Sequence, residues 1–271
     1  VVRTVPTPVL MLPNKLGRAV LGTDTLPLYS SKLPGGGGRR TRAAPALAPR
    51  AVYFPACVQT MFGPATEGTP GVQGSFEQLC ERAGITLFVP SGIDGLCCGT
   101  PWSSKGLAAG EATMLAETLA ALRTATRNGE LAIICDASSC TEGLRTTIDG
   151  DRNVPHLRVV DAVAFAAERI LPSLSEFRKT DSLALHPTCS STRRGINDSL
   201  LTHAGGVAET VQVPENWGCC GFAGNRGMLQ PELTESAIRA QAADVATLDA
   251  TAFVSCNRTC ELGLTRATGM E

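Results

Sequence analysis

Two Cys-Cys-Gly triplets, Cys97-Cys98-Gly99 and Cys219-Cys220-Gly221, constrain this chain more than any other feature. The flanking cysteines repeat with them. Cys140 recurs as Cys260, Cys135 as Cys256 and Cys57 as Cys189, each roughly 120 to 130 residues on. Neighbouring Cα atoms lie about 3.8 Å apart, closer than a disulfide normally spans. The adjacent pairs therefore do not bond to each other. With 11 cysteines, an odd number, and only 3 histidines, a secreted disulfide framework fits poorly. Reduced thiols that bind metal fit better, in a compartment like the cytoplasm.

The surrounding pattern repeats as well. Each copy opens with an apolar run, Ala51–Phe54 and Ser182–Leu185, leading to Cys57 and to His186-Pro187-Thr188-Cys189. In the first copy the signature Ser75-Phe76-Glu77-Gln78 predicts a helix start, and Gly84 its stop. In the second, a helix over 198–204 stops at Gly205. Strands over 85–89 and 207–213, closed by Pro90 and Pro214, precede the two Cys-Cys-Gly triplets. A helix follows each triplet, with Leu115, Leu119 and Leu122, or Ile238, Ala242 and Val245, on one face. Strands over 131–134 and 252–254 then lead to Cys135 with Cys140 and to Cys256 with Cys260. A further strand, 158–160, and a helix over 161–171 occur in the first copy only.

Strands alternating with helices predict an α/β fold: two pseudo-repeated, Rossmann-like parallel-sheet units. Ligands of such sheets sit beyond the carboxyl ends of the strands, so each unit should gather its cysteines in loops at that rim. We expect a first unit over 51–172 and a second over 173–271. Residues 1–50 hold seven prolines and the run Gly35–Gly38 followed by Arg39-Arg40. They read as an extended linker whose basic residues are solvated. The chain begins with Val, and its second copy lacks a counterpart of 158–171. Sequence beyond both ends is expected, or a shortened second unit.

Composition removes several functions. Lys and Arg number 24 against 25 Asp and Glu, which leaves no broad footprint for nucleic acid. No apolar run is long enough for a transmembrane segment, and the N-terminus lacks the order of a signal peptide. Zinc-hydrolase, nucleophile-elbow and dinucleotide motifs are absent.

Four or five thiolates per copy with almost no histidine favour iron–sulfur clusters or zinc. The candidate ligands are Cys57, Cys97, Cys98 and Cys140 in the first copy and Cys189, Cys219, Cys220 and Cys260 in the second. For Cys135 and Cys256, ligation and plain burial are both open, and Cys80 reads as a core residue. Gly99 and Gly221 would let backbone approach the centre, and Lys105 and Arg226 would supply nearby cations. His186 reads as a packed strand-end residue, and His156 and His203 as surface residues. Trp102 and Trp217 flank the pairs, as shields or as core. A structural zinc in one site stays open, although ligands spread over about 80 residues are unlike the close pairs of zinc modules.

Leu96-Cys97-Cys98-Gly99-Thr100-Pro101-Trp102, Asp136-Ala137-Ser138-Ser139-Cys140, His186-Pro187-Thr188-Cys189, Cys219-Cys220-Gly221-Phe222-Ala223-Gly224 and Asn257-Arg258-Thr259-Cys260 resemble the Cys-Cys-Gly domain family. This family includes the cysteine-rich subunit of heterodisulfide reductase and the iron–sulfur subunit of glycolate oxidase. The motifs are similar, more closely, to the C-terminal part of FAD-linked, iron–sulfur D-lactate dehydrogenases. That resemblance spans about residues 16–271. It implies an oxidoreductase portion with one or two [4Fe-4S] centres, and FAD in an upstream domain or partner subunit that oxidises a D-2-hydroxy acid. Electrons would pass to a quinone or cytochrome, in the cytoplasm or at the inner membrane face. A catalytic subunit of the heterodisulfide reductase kind is the alternative. The family's fuller pattern ends each motif with two cysteines separated by two residues. Here Ala137 and Asn257 take the earlier position, and Cys135 and Cys256 are displaced.

Overall fold

The computed structural model describes residues 7–29, 33–40, 48–64, 68–151, 156–175 and 178–269. Pro6 and Pro45, counted in the linker, lie outside them.

The leading segment departs from the expected linker. It opens with helix α1 (Thr7–Leu21). Proline is tolerated in a helix's first turn, which admits Pro8, and the rest is held by contacts distant in sequence. Arg18 donates to the carbonyl of Leu229 at 2.7 Å, and Asn14 bridges the carbonyl of Pro27 and the N–H of Tyr29. Further on, Gly37 N–H donates to Thr60 and Gly63 N–H to Gly35. A Cβ at Gly37 would sit 1.7 Å from the carbonyl oxygen of Gln59, so this glycine permits close backbone contact rather than looseness.

The first unit runs β1 (Ala51–Phe54), α2 (Val58–Met61), α3 (Gly71–Arg82), β2 (Leu87–Phe88), α4 (Thr100–Ser103), α5 (Ala108–Ala125), β3 (Ile133–Cys135), α6 (Ser138–Gly150), β4 (Val159–Asp161) and α7 (Ala162–Phe165). A π-helical stretch, Ala166–Ile170, extends α7. The second unit runs β5 (Thr180–His186), α8 (Cys189–Arg193), α9 (Asn197–Val207), β6 (Ala208–Gln212), α10 (Arg226–Leu229), α11 (Pro231–Ala237), α12 (Arg239–Val245), β7 (Ala252–Ser255) and α13 (Arg258–Thr268). The sheet orders are β2-β1-β3-β4 and β6-β5-β7, with every pairing parallel. Phe54 pairs with Cys135 in the first sheet and His186 with Ser255 in the second. The two sheets are thus the same three-stranded motif, with β4 added to the first.

Helix boundaries differ in several places, and Ile238, expected within one helix with Ala242 and Val245, falls between α11 and α12. α3 begins at Gly71, after Pro70, so Ser75 sits inside the helix and caps nothing. α9 runs through Gly205 and Gly206. A Cβ at Gly206 would lie 2.6 Å from Leu171, so this glycine serves packing rather than termination.

β1 and β3 are buried along their whole length, as expected for parallel strands covered on both faces. The few aromatics serve both cores. Tyr53, Phe54 and Phe222 are among the largest fully buried side chains, and the rings of Tyr53 and Phe76 lie 5.0 Å apart. Cys80 is buried in the first core. Each Tyr or Phe buries on the order of 150–250 Å², so a handful stiffens sheets otherwise made of Val, Ile, Leu and Ala. No helix among the described residues is long and apolar enough to cross a membrane.

Candidate metal centre

The candidate cysteines stand at the carboxyl end of a strand, at the start of the helix that follows or, for the two Cys-Cys pairs, in the loop between strand and helix. Cys57 caps α2, and Cys97 and Cys98 lie in the loop before α4. Cys135 ends β3, and Cys140 is in the first turn of α6. In the second unit Cys189 opens α8, Cys219 and Cys220 precede α10, Cys256 follows β7, and Cys260 is in the first turn of α13. Parallel strands all point the same way, so their ends deliver residues distant in sequence to one rim. All 11 cysteines are free thiols.

The thiols touch one another. In the first unit Cys57 acts on Cys97, Cys97 on Cys98, and Cys98 and Cys135 on Cys140, each shifting its partner's acidity. In the second Cys219 acts on Cys189, and the sulfurs of Cys220 and Cys260 lie 3.0 Å apart. Proton sharing splits their acidities. Hydrogen bonds from Cys57 and Cys98 bring Cys97 down to about 3. The hydrogen bond to Cys97 and burial push Cys57 up. Cys140 lowers Cys98, but the bond to Cys97 and burial outweigh it and carry Cys98 to about 12. Cys140 is raised by its bonds to Cys135 and Cys98. A hydrogen bond from Cys260 takes Cys220 to about 7, and the same bond raises Cys260. Each set therefore carries a thiol poised to be thiolate beside thiols that keep their protons. A metal that needs thiolates would displace those protons, so loading gains from higher pH.

The supporting groups differ in part from expectation. Gly99 and Gly221 have φ of +85° and +67°, and a Cβ there would come within 2.8 Å of Leu115 and 2.9 Å of Ala237. Both the left-handed backbone and the close approach need glycine. Gly143 and Gly263, three residues after the last cysteine of each set, pack under the carbonyls of Cys98 and Cys220. Lys105 and Arg226, by contrast, are not buried against the thiols: Lys105 is exposed and Arg226 lies at the surface. The cations that face the thiols are Arg40 and Arg193. Arg40 is only 4% exposed. It donates to the carbonyls of Pro55 and Leu96 at 3.1 and 2.8 Å, and its charge acts on Cys57, Cys97 and Asp136. Arg40 is therefore not a solvated linker residue, contrary to expectation. Its signal is not local, because the contacts lie 15 and 56 residues away. Arg193 acts on Cys189 and is itself paired with Glu142 of α6.

The two rims meet. Ser138 Oγ lies 3.0 Å from Thr188 Oγ1, and Ser138 N–H donates to the carbonyl of Cys256. Ser139 donates to Asn257, and Ser190 to Glu142. Cys256 does not join the second set of thiols. Its sulfur lies 3.6 Å from the hydroxyls of both Thr188 and Ser138. A cavity of about 430 Å³ opens between the units, lined by residues including Phe76, Asp136, Val163, His203, Cys256 and Arg258. His203 is thus half-buried, not a surface residue, and burial lowers its pKa. His186 is fully buried, bonded through Nδ1 to Gln241. Trp102 packs over Gly110, and Trp217 is partly exposed.

The donor set suits a soft metal centre: four or five thiols, no histidine, helix N-termini close by and a buried guanidinium at the first site. Among the described residues no three His, Cys, Asp or Glu side chains surround a point as a single ion requires. The first set gathers five thiols, Cys57, Cys97, Cys98, Cys140 and Cys135, more than one tetrahedral ion takes and a number that a polynuclear centre can use.

No curated protein matches the chain. Residues 51–145 and 183–265 each match the cysteine-rich CCG domain, and these two stretches carry all the candidate cysteines and the strand ends from which they project. With most of its length covered by this duplicated module, the chain belongs to the CCG cysteine-rich domain family.

Proposed function

We propose that the chain is the iron–sulfur electron-transfer portion of a flavin-linked D-2-hydroxy-acid dehydrogenase of the D-lactate type. Each rim would hold an iron–sulfur centre: Cys57, Cys97, Cys98 and Cys140 in one, Cys189, Cys219, Cys220 and Cys260 in the other. The observation that carries this reading is the pair of thiol sets at sheet rims whose loops hydrogen-bond each other, Ser138 N–H to Cys256 and Ser139 to Asn257. Such a centre supplies reversible one-electron storage, at a potential set by charge, hydrogen bonds and exposure. The protein's part is to hold thiolates, exclude water and position charge. Gly99 and Gly221 admit the backbone and bring their own N–H groups to Cys97 and Cys219, and Arg40 offsets negative charge at the first site. FAD, the hydroxy acid, and the quinone or cytochrome acceptor would belong to the rest of the system.

The test is anaerobic reconstitution with iron(II) and sulfide, followed by mixing with a chemically reduced flavin and then with a quinone. The expected result is a brown chain that bleaches with reduced flavin and recovers its colour with quinone. A colourless product, or colour indifferent to both reagents, would contradict the proposal. A second reading, cleavage of a disulfide substrate at a cluster, draws on the exposure of Cys219. It predicts that a mixed disulfide, rather than quinone, reoxidises the reduced chain.

A further inference from the structure

The two units differ where a fifth cysteine could stand. Counted back from the last cysteine of each set, Cys135 lies five residues before Cys140, and Cys256 only four before Cys260. Successive residues at a strand end face opposite ways, so a shift of one residue moves the thiol to a different side. Strand register gives the same alignment. Phe54 opposite Cys135 matches His186 opposite Ser255. Cys135 is therefore the counterpart of Ser255, and Cys256 the counterpart of Asp136.

The contacts follow this alignment. Cys135 is completely buried, its thiol reaches the carbonyl of Ala137 at 3.9 Å, and it lies close enough to Cys140 of the same set to raise that thiol's pKa. Asp136 accepts from the N–H of Ala56. Its counterpart Cys256 likewise meets the residue before the first cysteine of its own unit, Thr188, and also Ser138 of the other unit. Ser255 carries a buried hydroxyl with no hydrogen-bond partner among the described residues. A hydroxyl is a hard donor and a poor substitute for thiolate toward soft metals.

We infer that the two centres are unequal: the first unit presents five thiols, Cys57, Cys97, Cys98, Cys135 and Cys140, while the second presents four, Cys189, Cys219, Cys220 and Cys260, with Ser255 at the fifth position. Cys256 is a joint residue between the units and binds no metal. This rests on the reading that each rim holds an iron–sulfur centre.

The experiment is Mössbauer and EPR spectroscopy, with iron and acid-labile sulfide counts, on the anaerobically reconstituted full chain and on Cys135→Ser, Ser255→Cys and Cys256→Ser. The wild type should show two distinct iron environments in comparable amounts. C135S should make the first resemble the second, S255C should do the reverse, and C256S should leave both spectra and the iron count unchanged. C256S that loses as much iron as Cys220→Ser would overturn the assignment. So would a wild type with a single iron environment, a result that does not depend on any variant folding. A wild type that takes up neither iron nor sulfide defeats the proposed function together with this inference. A wild type that loads iron but responds to C256S and not to C135S defeats the inference alone.

Discussion

Replacing Arg40 by Met should destabilise the chain even without metal. The guanidinium is buried and donates to two carbonyls, those of Pro55 and Leu96. Met fills similar volume but has no donor, so two buried acceptors lose their partners. Each such loss costs about 1–3 kcal/mol, and relief from burying a charge returns part of the sum. The net expectation is about 2–4 kcal/mol. At ~2–4 °C per kcal/mol for a chain of this size, the melting temperature should fall by roughly 5–15 °C. Urea unfolding of the metal-free chain under reducing conditions measures this, with Arg40→Lys as comparison. Lysine keeps the charge but lacks the planar fork that reaches both carbonyls, so it should fall between wild type and Met. A loss below ~1 kcal/mol for Arg40→Met would refute the reasoning. It would mean that water or a rearranged segment satisfies those carbonyls. Loss of the cation should also speed removal of iron from the first site by a chelator and spare the second.

Burial holds Asp161 at about 6 against its ordinary 3.8. The folded state therefore binds the extra proton across that window. Stability should decline as pH rises from about 4 to 6 and stay lowered above it, by on the order of 3 kcal/mol in all. Asp161→Asn keeps the acceptor for the Val163 N–H and replaces the oxygen that accepts from Thr141 with an amide that donates to it, so its urea midpoint should vary less with pH. A wild type that gains stability over this window would contradict the account. Gly221→Ala should cost about 1–3 kcal/mol more than Gly224→Ala. Both glycines have positive φ, but only at Gly221 would the new methyl meet Ala237 and Leu233, and thermal melts of the pair isolate that approach. Iron uptake should rise between about pH 6 and 8 as the mutually hydrogen-bonded thiols give up protons. Uptake that is flat or falling over this range would count against thiolate ligation.

The repeat, the parallel sheets and the placement of cysteines at strand ends are legible in the sequence because all three rest on local pattern. Apolar runs ending in Pro or Cys mark buried parallel strands, and the recurrence of the Cys-Cys-Gly triplet aligns two sets of them. The sequence repeat pairs Cys135 with Cys256, and strand register corrects that: Cys135 stands where the second unit has Ser255. What stays hidden depends on contacts far along the chain. α1 contains Pro8 and Pro13 and is anchored by Arg18 reaching Leu229, a partner no local rule supplies. Arg40 reads as part of a solvated Gly-Arg run until its long-range carbonyl partners are seen. Lys105 and Arg226 stand near the cysteine pairs in sequence, but a surface side chain can point away from the neighbour it follows. Ser75 shows the limit of a capping signature when Pro70-Gly71 starts the helix a turn earlier.

The central claim is that separated thiols form two independent redox centres, one on each unit. Its most direct test counts iron and acid-labile sulfide in anaerobically reconstituted wild type, Cys98→Ser and Cys220→Ser. The account predicts that each variant loses about one centre's share of iron, with the spectrum of the other centre intact, as expected for ligands split between separate units. A colourless zinc-bound wild type, or loss of all iron from either single variant, would contradict it.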